Sequence, residues 1–417
     1  MKLRSSLAVV LALLAVISPA GARTLVVNAN TADPAPRAAW EATVARFQRE
    51  YPDIQVQFNI YDSESYKKSI RNWLTGAPPD VVYWFAGYRM RQFVTPGLLE
   101  DISDLYTPDL KASIHRSALD LVSVGEKQYG VPYTYYQVGL YFRRDLLAAA
   151  GVAEPPGDWR SLVSACDKLK AKGIEPFAVG TRDLWPAAGW FDYLDLRLNG
   201  LAFHMDLMRG AIAYTDTRVR DIFERWRELL EKNCFSRNHA SSSWQESQAL
   251  LYSGKAAMML IGNFIVANFP ADVRDRMDFV AFPSIRRDFG RFEDAPVNTI
   301  HIPAGARNKE DARRFLAFVM RADVQEAINK ATLQIPVNLR AAVADDRFIV
   351  RGRDLLARAD GLAQYFDRDT SEDLANIAMK GFQEFMLYPE RLEATLVTIE
   401  RARARIYGAL PVPAAAK

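Results

Sequence analysis

GVPYTYYQVGLYFRRDL, from Gly130 to Leu146, is the stretch on which the reading of this 417-residue chain turns. Pro132 extends the backbone, the aromatic and β-branched run after it favours a buried strand, and the charged residues at its end open a helix. Tyr133, Tyr135 and Tyr136 carry phenol groups on that strand. At a junction between two packed bodies such rings offer a ligand both a flat face and a hydroxyl. The stretch then reads as the first crossing between two lobes. Taken alone it fits equally well a strand of one large α/β core with tyrosines at its rim, so the flanking sequence decides.

Upstream, TLVVNAN (Thr24 to Asn30) is a β-branched strand that opens into a polar loop, and Asp33-Pro34-Ala35-Pro36 starts a helix with proline in its first turn. Trp40, Val44 and Phe47 recur at helical spacing and form its core stripe. IQVQFNI then alternates apolar and polar residues up to Ile60, which predicts strand, helix, strand and a parallel pair. A second helix from about Ser65 to Leu74 leads through Gly76-Ala77-Pro78-Pro79-Asp80 into VVYWF, a short apolar strand broken at Ala86-Gly87-Tyr88. Open α/β sheets bind ligands beyond the carboxyl ends of their strands. That rule gathers Asn28, Asn30 and Asp33 after the first strand, Asp62 and Ser63 after the second, and Trp84 and Phe85 after the third. Each taken singly is as readily a turn cap or a rim aromatic.

Downstream the alternation starts again. DWRSLVSACDKLKAKG is a helix capped by Asp158 and ended by Gly173, and IEPFAVG follows as a strand. The Trp-, Tyr- and Asp-rich segment Thr181 to Gly200 puts Asp183 and Trp185 near the cleft edge of a second lobe, with Trp190 and Tyr193 in helix core. VRDIFERWRELLEKN is an amphipathic helix, ASSSW a solvated loop, and KAAMMLI a buried strand ending at Gly262-Asn263-Phe264, an amide beside an aromatic. Further crossings are expected near Asp288 to Pro296 and Gln334 to Asn338, with VNTIHI and the helix KEDARRFLAFVM returning to the first lobe and the C-terminal helices packing on the second.

At this length two domains are expected. Charged residues make up 25% of the chain with a formal net charge of only +3, and no block of like charge invites nucleic acid or a membrane surface. Lys2 and Arg4, the apolar run Leu7 to Ile17 and the small residues Ser18 to Ala22 read as a secretory signal cut after Ala22. Its loss removes two positive charges and leaves +1. No cysteine stands at the cut to carry a lipid, so the expected location is an oxidising compartment, most simply a periplasm. That setting allows Cys166 and Cys234 to pair, but Cys166 shares a helical face with Leu162 and Leu169, and the favoured reading is two unpaired buried thiols. The four histidines show no metal-ligand spacing, and neither a phosphate-cradling loop nor a nucleophile elbow appears, so no metal, cofactor or enzymatic activity is expected. A glycosidase built on Asp183 and Asp192 remains a minor alternative.

In the order in which they occur, WEATVARFQREYPDIQV, TGAPPDVVYW, YGVPYTYYQVGLYFRRDLLAAAGV, PPGDWRSLVSACDKLKAKGIEPFAVG, LLYSGKAAMMLIGNF and IPAGARNKEDARRFLAFVM resemble the family 1 extracellular solute-binding proteins, the maltose-binding type that feeds sugars to ABC importers. The resemblance implies a periplasmic-binding-protein-like α/β fold, two lobes joined by a multi-crossing hinge with a ligand cleft between them. It implies a monomer that closes on a carbohydrate and delivers it to a membrane permease. The expected boundaries are residues 23–134 with 296–337 for the N-terminal lobe and 135–295 with 338–417 for the C-terminal lobe. Sugars present apolar faces and hydroxyl rims, which calls for flat rings and bidentate polar arms. Trp84, Phe85, Tyr135, Tyr136, Trp185 and Phe264 are the candidate rings, and Asn30, Asp33, Asp62, Asp183 and Asn263 the candidate arms. The chain departs from the maltose-binding type at Ala86-Gly87-Tyr88, where that type has a carboxylate, at Tyr136, which replaces a second acid, and at Phe264, which replaces a tryptophan. A different mono- or short oligosaccharide is therefore expected. The alternatives are an anionic sugar or glycerophosphate held by Arg89 or Arg182, and ferric iron on Tyr135 and Tyr136. Iron is disfavoured because consecutive strand residues face opposite ways.

Overall fold

A computed structural model describes residues 23–286 and 289–410. The expected leader and its cut after Ala22, Asp288 at the second crossing and the C-terminal residues Ala414 to Lys417 lie outside the described residues.

Two α/β lobes make up the fold. The strand Arg23–Ala29 runs parallel to Ile54–Ile60, in register from Arg23 opposite Ile54 to Ala29 opposite Ile60, with the helix Pro34–Glu50 connecting them. Val81–Phe85 joins the other side of Arg23–Ala29, also parallel. All five of its residues are buried, as an apolar run without alternation requires in a strand covered on both faces. The sheet is completed by Val297–His301, antiparallel to both Val81–Phe85 and Val131–Tyr135, so that a late segment sits inside an early sheet. Trp40, Val44 and Phe47 do point into this core, and the helices Lys309–Met320 and Ala322–Thr332 return to it.

The second sheet has the order Met277–Val280, Val138–Arg143, Ala256–Gly262, Glu175–Phe177. One face carries the helices Trp159–Ala171, Trp185–Leu198, Thr217–Glu231 and Glu372–Leu387, with Trp190, Tyr193, Trp226 and Phe382 fully enclosed. Its other face packs Tyr141, Met259 and Phe279 against Phe348 and Ile349. The first core draws on residues 25 to 133 and 297 to 337, the second on residues 136 to 282 and 365 to 402. The chain thus passes between lobes after Tyr135, before Val297 and around Ile335, where Tyr135 and Ile335 exchange backbone hydrogen bonds of 3.0 and 3.2 Å.

Two local readings need correction. Cys166 and Cys234 are bonded, with Cα atoms 5.9 Å apart. The backbone carbonyl of Cys234 accepts from Phe177 N, which draws it alongside the strand that the helix Trp159–Ala171 leads into. A separation of 68 residues hides that meeting in the sequence. The serine-rich loop is also more than solvated hydroxyls. Ser243 is buried and forms a capping box with Glu246, which starts the helix Trp244–Tyr252 and turns Trp244 inward.

Candidate functional site

A cavity of about 200 Å³ opens where the lobes meet. The carboxyl ends of the first-lobe strands deliver Asn30, Asp33, Trp84 and Phe85 to it, and the first crossing delivers Tyr136. Trp185 and Phe264 close the opposite wall. Trp185 stands at the first position of its helix, directly after Leu184, whose φ of 64° is a conformation that residues with a β-carbon rarely adopt. The ring sits among Tyr365 at 5.8 Å, Trp244 at 5.9 Å and Phe264 at 6.3 Å. Gly262 leaves room for this cluster, since a Cβ there would meet the Phe264 ring at 2.4 Å and Tyr136 at 2.8 Å.

On the first-lobe wall Trp84 and Phe85 stack with centroids 4.8 Å apart. The Arg89 guanidinium lies 5.1 Å over Trp84, and that of Arg368 lies 4.3 Å over Phe85. Arg368 also donates to the Tyr136 hydroxyl at 3.0 Å and to Asn298 Oδ1 at 3.0 Å. One cation therefore aligns a stacking platform, a phenol and an amide that come from different crossings. Beside it, the Asp367 carboxylate lines the cavity, is almost wholly buried and accepts no hydrogen bond among the described residues. Such a group is poised to accept from a ligand hydroxyl.

Three carboxyls and two cations ring the cavity: Asp33, Glu64 and Asp367 against Lys67 and Arg368. Burial raises the Asp33 pKa above the ordinary carboxylate range, and the Gln245 amide from the other lobe draws it back. Burial also raises that of Glu64, opposed by Lys67 at 2.7 Å.

The remaining expected arms lie off the cavity. Asp62 caps the helix Ser63–Thr75 by accepting from Ser65 N at 2.9 Å, and that bond holds its pKa below the usual value. Asn263 is fully buried and donates to the Leu333 carbonyl at 3.0 Å, tying the end of the strand Ala256–Gly262 to the crossing near Ile335. Asp183 is half-buried beside the opening and does not line it. Tyr135 turns to the other side of the crossing, its ring 5.8 Å from His115. Asp192 is enclosed in the second core, so Asp183 and Asp192 do not face one another across the cavity. Among the described residues no cluster of His, Cys, Asp or Glu is arranged to hold a metal.

Residues absent from the sequence-based set complete the walls: Glu64, Lys67, Trp244, Tyr365, Asp367 and Arg368. The last three belong to YFDRD, Tyr365 to Asp369, whose density of rings and charges matches that of the Thr181 to Asp192 segment and is the one signal that points to it.

Comparison with known proteins agrees with this arrangement. Residues 28–326 match the family described as bacterial extracellular solute-binding protein. An uncharacterised ABC transporter extracellular-binding protein of Pyrococcus horikoshii is 26% identical over 307 residues, 72% of this chain and 68% of that one. The multiple sugar-binding protein of Streptococcus mutans is 21% identical over 294 residues, 66% of each. Among solved structures, the bacterial solute receptor AcbH, described as having an exclusive preference for β-D-galactopyranose, superposes with a TM-score of 0.88 at 27% identity over 93% of this chain and 100% of that one. Two lobes, a cleft whose walls both lobes supply, and a family match across most of the chain lead to one assignment: the protein is a member of the bacterial extracellular solute-binding proteins.

Proposed function

We propose that this protein is the exported, substrate-binding component of an ABC importer, and that it captures a neutral mono- or short oligosaccharide by closing its lobes. The observation that carries the reading is the pairing of ring faces with polar groups in one interlobe cavity, the Asp367 carboxylate among them without a hydrogen-bond partner among the described residues. Trp185, Phe264, Tyr136 and the Trp84–Phe85 stack supply faces, and Asp367, Asn30 and Asp33 supply acceptors and donors. A volume of about 200 Å³ suits a short sugar better than a polymer. The relatives that bind sugars, β-D-galactopyranose in the case of AcbH, support the same class.

Charge favours a neutral ligand. The lining holds more acids than cations, and both cations are engaged, Lys67 with Glu64 and Arg368 with Tyr136 and Asn298. The arginines that an anionic sugar would need are elsewhere: Arg89 is buried and donates to the Asp367 carbonyl at 3.0 Å, and Arg182 pairs with Glu246 at 3.0 Å. Tyr135 and Tyr136 open into different spaces, which disfavours ferric iron.

In this reading the lobes span residues 23–134 with 296–337 and 135–295 with 338–417, the leader is removed after Ala22, and the loaded protein works as a monomer in the periplasm. Its partners are the sugar and the membrane subunits of the importer, and it needs neither cofactor nor nucleic acid. Ligand contacts to both lobes select the closed form, and closure is the signal a permease reads. The test is a thermal-shift screen over mono- and oligosaccharides, glycerophosphodiesters and ferric iron, followed by calorimetry and small-angle scattering with the best ligand. A sugar should raise the melting temperature and compact the molecule while remaining chemically intact. Stabilisation by the glycerophosphodiesters or iron alone, superimposable scattering profiles, or shortened products would each overturn the proposal.

A further inference from the structure

The segments that cross between the lobes form a wall with a cavity on each side. In the consecutive pairs Tyr135–Tyr136, Val297–Asn298 and Gln364–Tyr365, the first residue lines a rear cavity and the second lines the candidate sugar site. Neighbours in extended backbone point to opposite faces, so one thickness of chain separates the two spaces. The rear cavity is the roomier, at about 440 Å³ against about 200 Å³.

Both lobes contribute to it. Arg91 comes from the first-lobe helix Tyr88–Val94, and Arg209 follows the second-lobe helix Gly200–Met208. Most other polar groups there are already engaged. Gln364 accepts from Val297 N at 3.0 Å and donates to the Ala295 carbonyl at 2.9 Å, while Asp369 accepts from Gln364 N at 3.0 Å. His115 pairs with Ser117 at 2.8 Å, and Asp120 with Arg116 at 2.9 Å. Arg91 and Arg209 are different. Neither guanidinium has a hydrogen bond or ion pair among the described residues, yet both act on the Asp369 carboxyl, opposing the burial that raises its pKa. Two cations from opposite lobes thus converge on one space without a partner of their own.

The geometry points to a second ligand site in this rear cavity, for a small multivalent anion of the tricarboxylate or phosphate class, held between Arg91 and Arg209. Planar guanidinium forks suit carboxylate and phosphate oxygens. Multiple charge is required because two carboxyls, Asp120 and Asp369, share the lining and a single negative charge would gain little against them. The site has a consequence for sugar binding, and that part rests on the proposed function. The lobes touch in front of the wall, through the Gln245 amide and Asp33 and through Arg368 and Asn298 at 3.0 Å. Opening the front about the wall narrows the back, so an anion fitted to the present spacing favours the closed form. Anion and sugar then strengthen each other's binding by the same factor.

The experiment uses the full mature chain, with citrate and inorganic phosphate as probes and sodium chloride matching the ionic strength. Without any sugar, citrate or phosphate should raise the melting temperature of the native protein and leave Arg91→Gln and Arg209→Gln where chloride leaves them. A shift equal to that of chloride, or one that persists in both variants, overturns the site. With a sugar identified, its dissociation constant should fall by about fivefold in citrate, and only where both arginines are present. Arginine-dependent anion binding with unchanged sugar affinity would remove the coupling and keep the site. Loss of sugar binding altogether would overturn the proposed function and leave the anion result standing.

Discussion

Arg368 donates to the Tyr136 hydroxyl across 3.0 Å, joining a side chain from the late YFDRD segment to the first crossing. The same guanidinium covers Phe85, so its loss would disturb three walls of the cavity at once. Tyr136→Phe removes only an acceptor for a charged donor, a change worth about 1.5–3 kcal/mol. The melting temperature of the free protein should fall with the loss of that bond, and sugar affinity by calorimetry should fall at least tenfold. Arg368→Ala should abolish detectable binding, and Arg368→Lys should not restore it, because an ammonium lacks the planar fork that spans Tyr136 and Asn298 while lying over the Phe85 ring. Full rescue by lysine would contradict this account.

Trp185 is the ring best placed to report and hold a sugar, half-exposed among Tyr365, Trp244 and Phe264. Trp185→Ala should weaken binding by about 2 kcal/mol or more. Trp185→Phe should retain part of it. Ligand should also change tryptophan emission in the native protein, and that change should shrink in both variants.

Buried acids under the hinge set a pH dependence. Asp294 is fully enclosed, neither of its carboxyl oxygens has a partner among the described residues, and burial pushes its pKa up to about 8. Asp192, which accepts from Phe366 N at 2.8 Å, is raised well above its ordinary value for the same reason. A carboxyl whose folded pKa lies above its unfolded value contributes stability below the unfolded pKa and loses it as pH rises towards the folded one. The loss therefore runs from about pH 4 to pH 8. His239 and His301, held down to about 4 by burial, act in the opposite sense, but only below their ordinary value of 6.5. Between pH 6.5 and 8 the carboxyls act together with buried His204, whose pKa, lowered by burial, is raised overall by its bond to Asp195 and which therefore also loses stability as pH rises. Denaturant titrations should show stability falling there by up to about 1.4 kcal/mol per pH unit for each group that titrates, and Asp294→Asn should reduce the slope by one such share and raise stability at pH 8. An unchanged slope in that variant would show that Asp294 does not titrate in this window.

The Cys166–Cys234 bond closes a long loop within the second lobe. Loop-closure entropy assigns such a bond about 4 kcal/mol, although measured values are often lower. The denatured, unreduced protein should show no free thiol, and reductant should lower the unfolding midpoint. The Cys166→Ala, Cys234→Ala double variant should match the reduced protein. Sugar affinity in that variant should be unaffected at temperatures where it remains folded.

Much of the fold was legible because apolar periodicity and turn chemistry act locally. VVYWF, a short apolar run between turn residues, reads as a buried strand, and the alternation in IQVQFNI marks its neighbour as half-buried. The carboxyl-end rule brought Asn30, Asp33, Trp84 and Phe85 to the cavity, and aromatic density brought Tyr136, Trp185 and Phe264. Asp62 and Asn263 lie off that cavity, since a carboxylate or amide beyond a strand looks the same in sequence whether it serves a helix end, the backbone of a crossing or a ligand. Tyr135 lines the other cavity for a different reason. The alternation that disfavoured iron also meant that only one of two adjacent tyrosines could face the sugar. Tyr365, Asp367 and Arg368 depend on a return of the chain from far away, which leaves no trace in local spacing.

The position of Val297–His301, between Val81–Phe85 and Val131–Tyr135, imposes an order of assembly. Until those late residues have been synthesised, the amino-terminal half has a missing plank in the middle of its sheet and nothing to hold its two sides together. The second sheet has all four of its strands before that point, so this wiring lets the later lobe's sheet be complete in sequence before the earlier one can close.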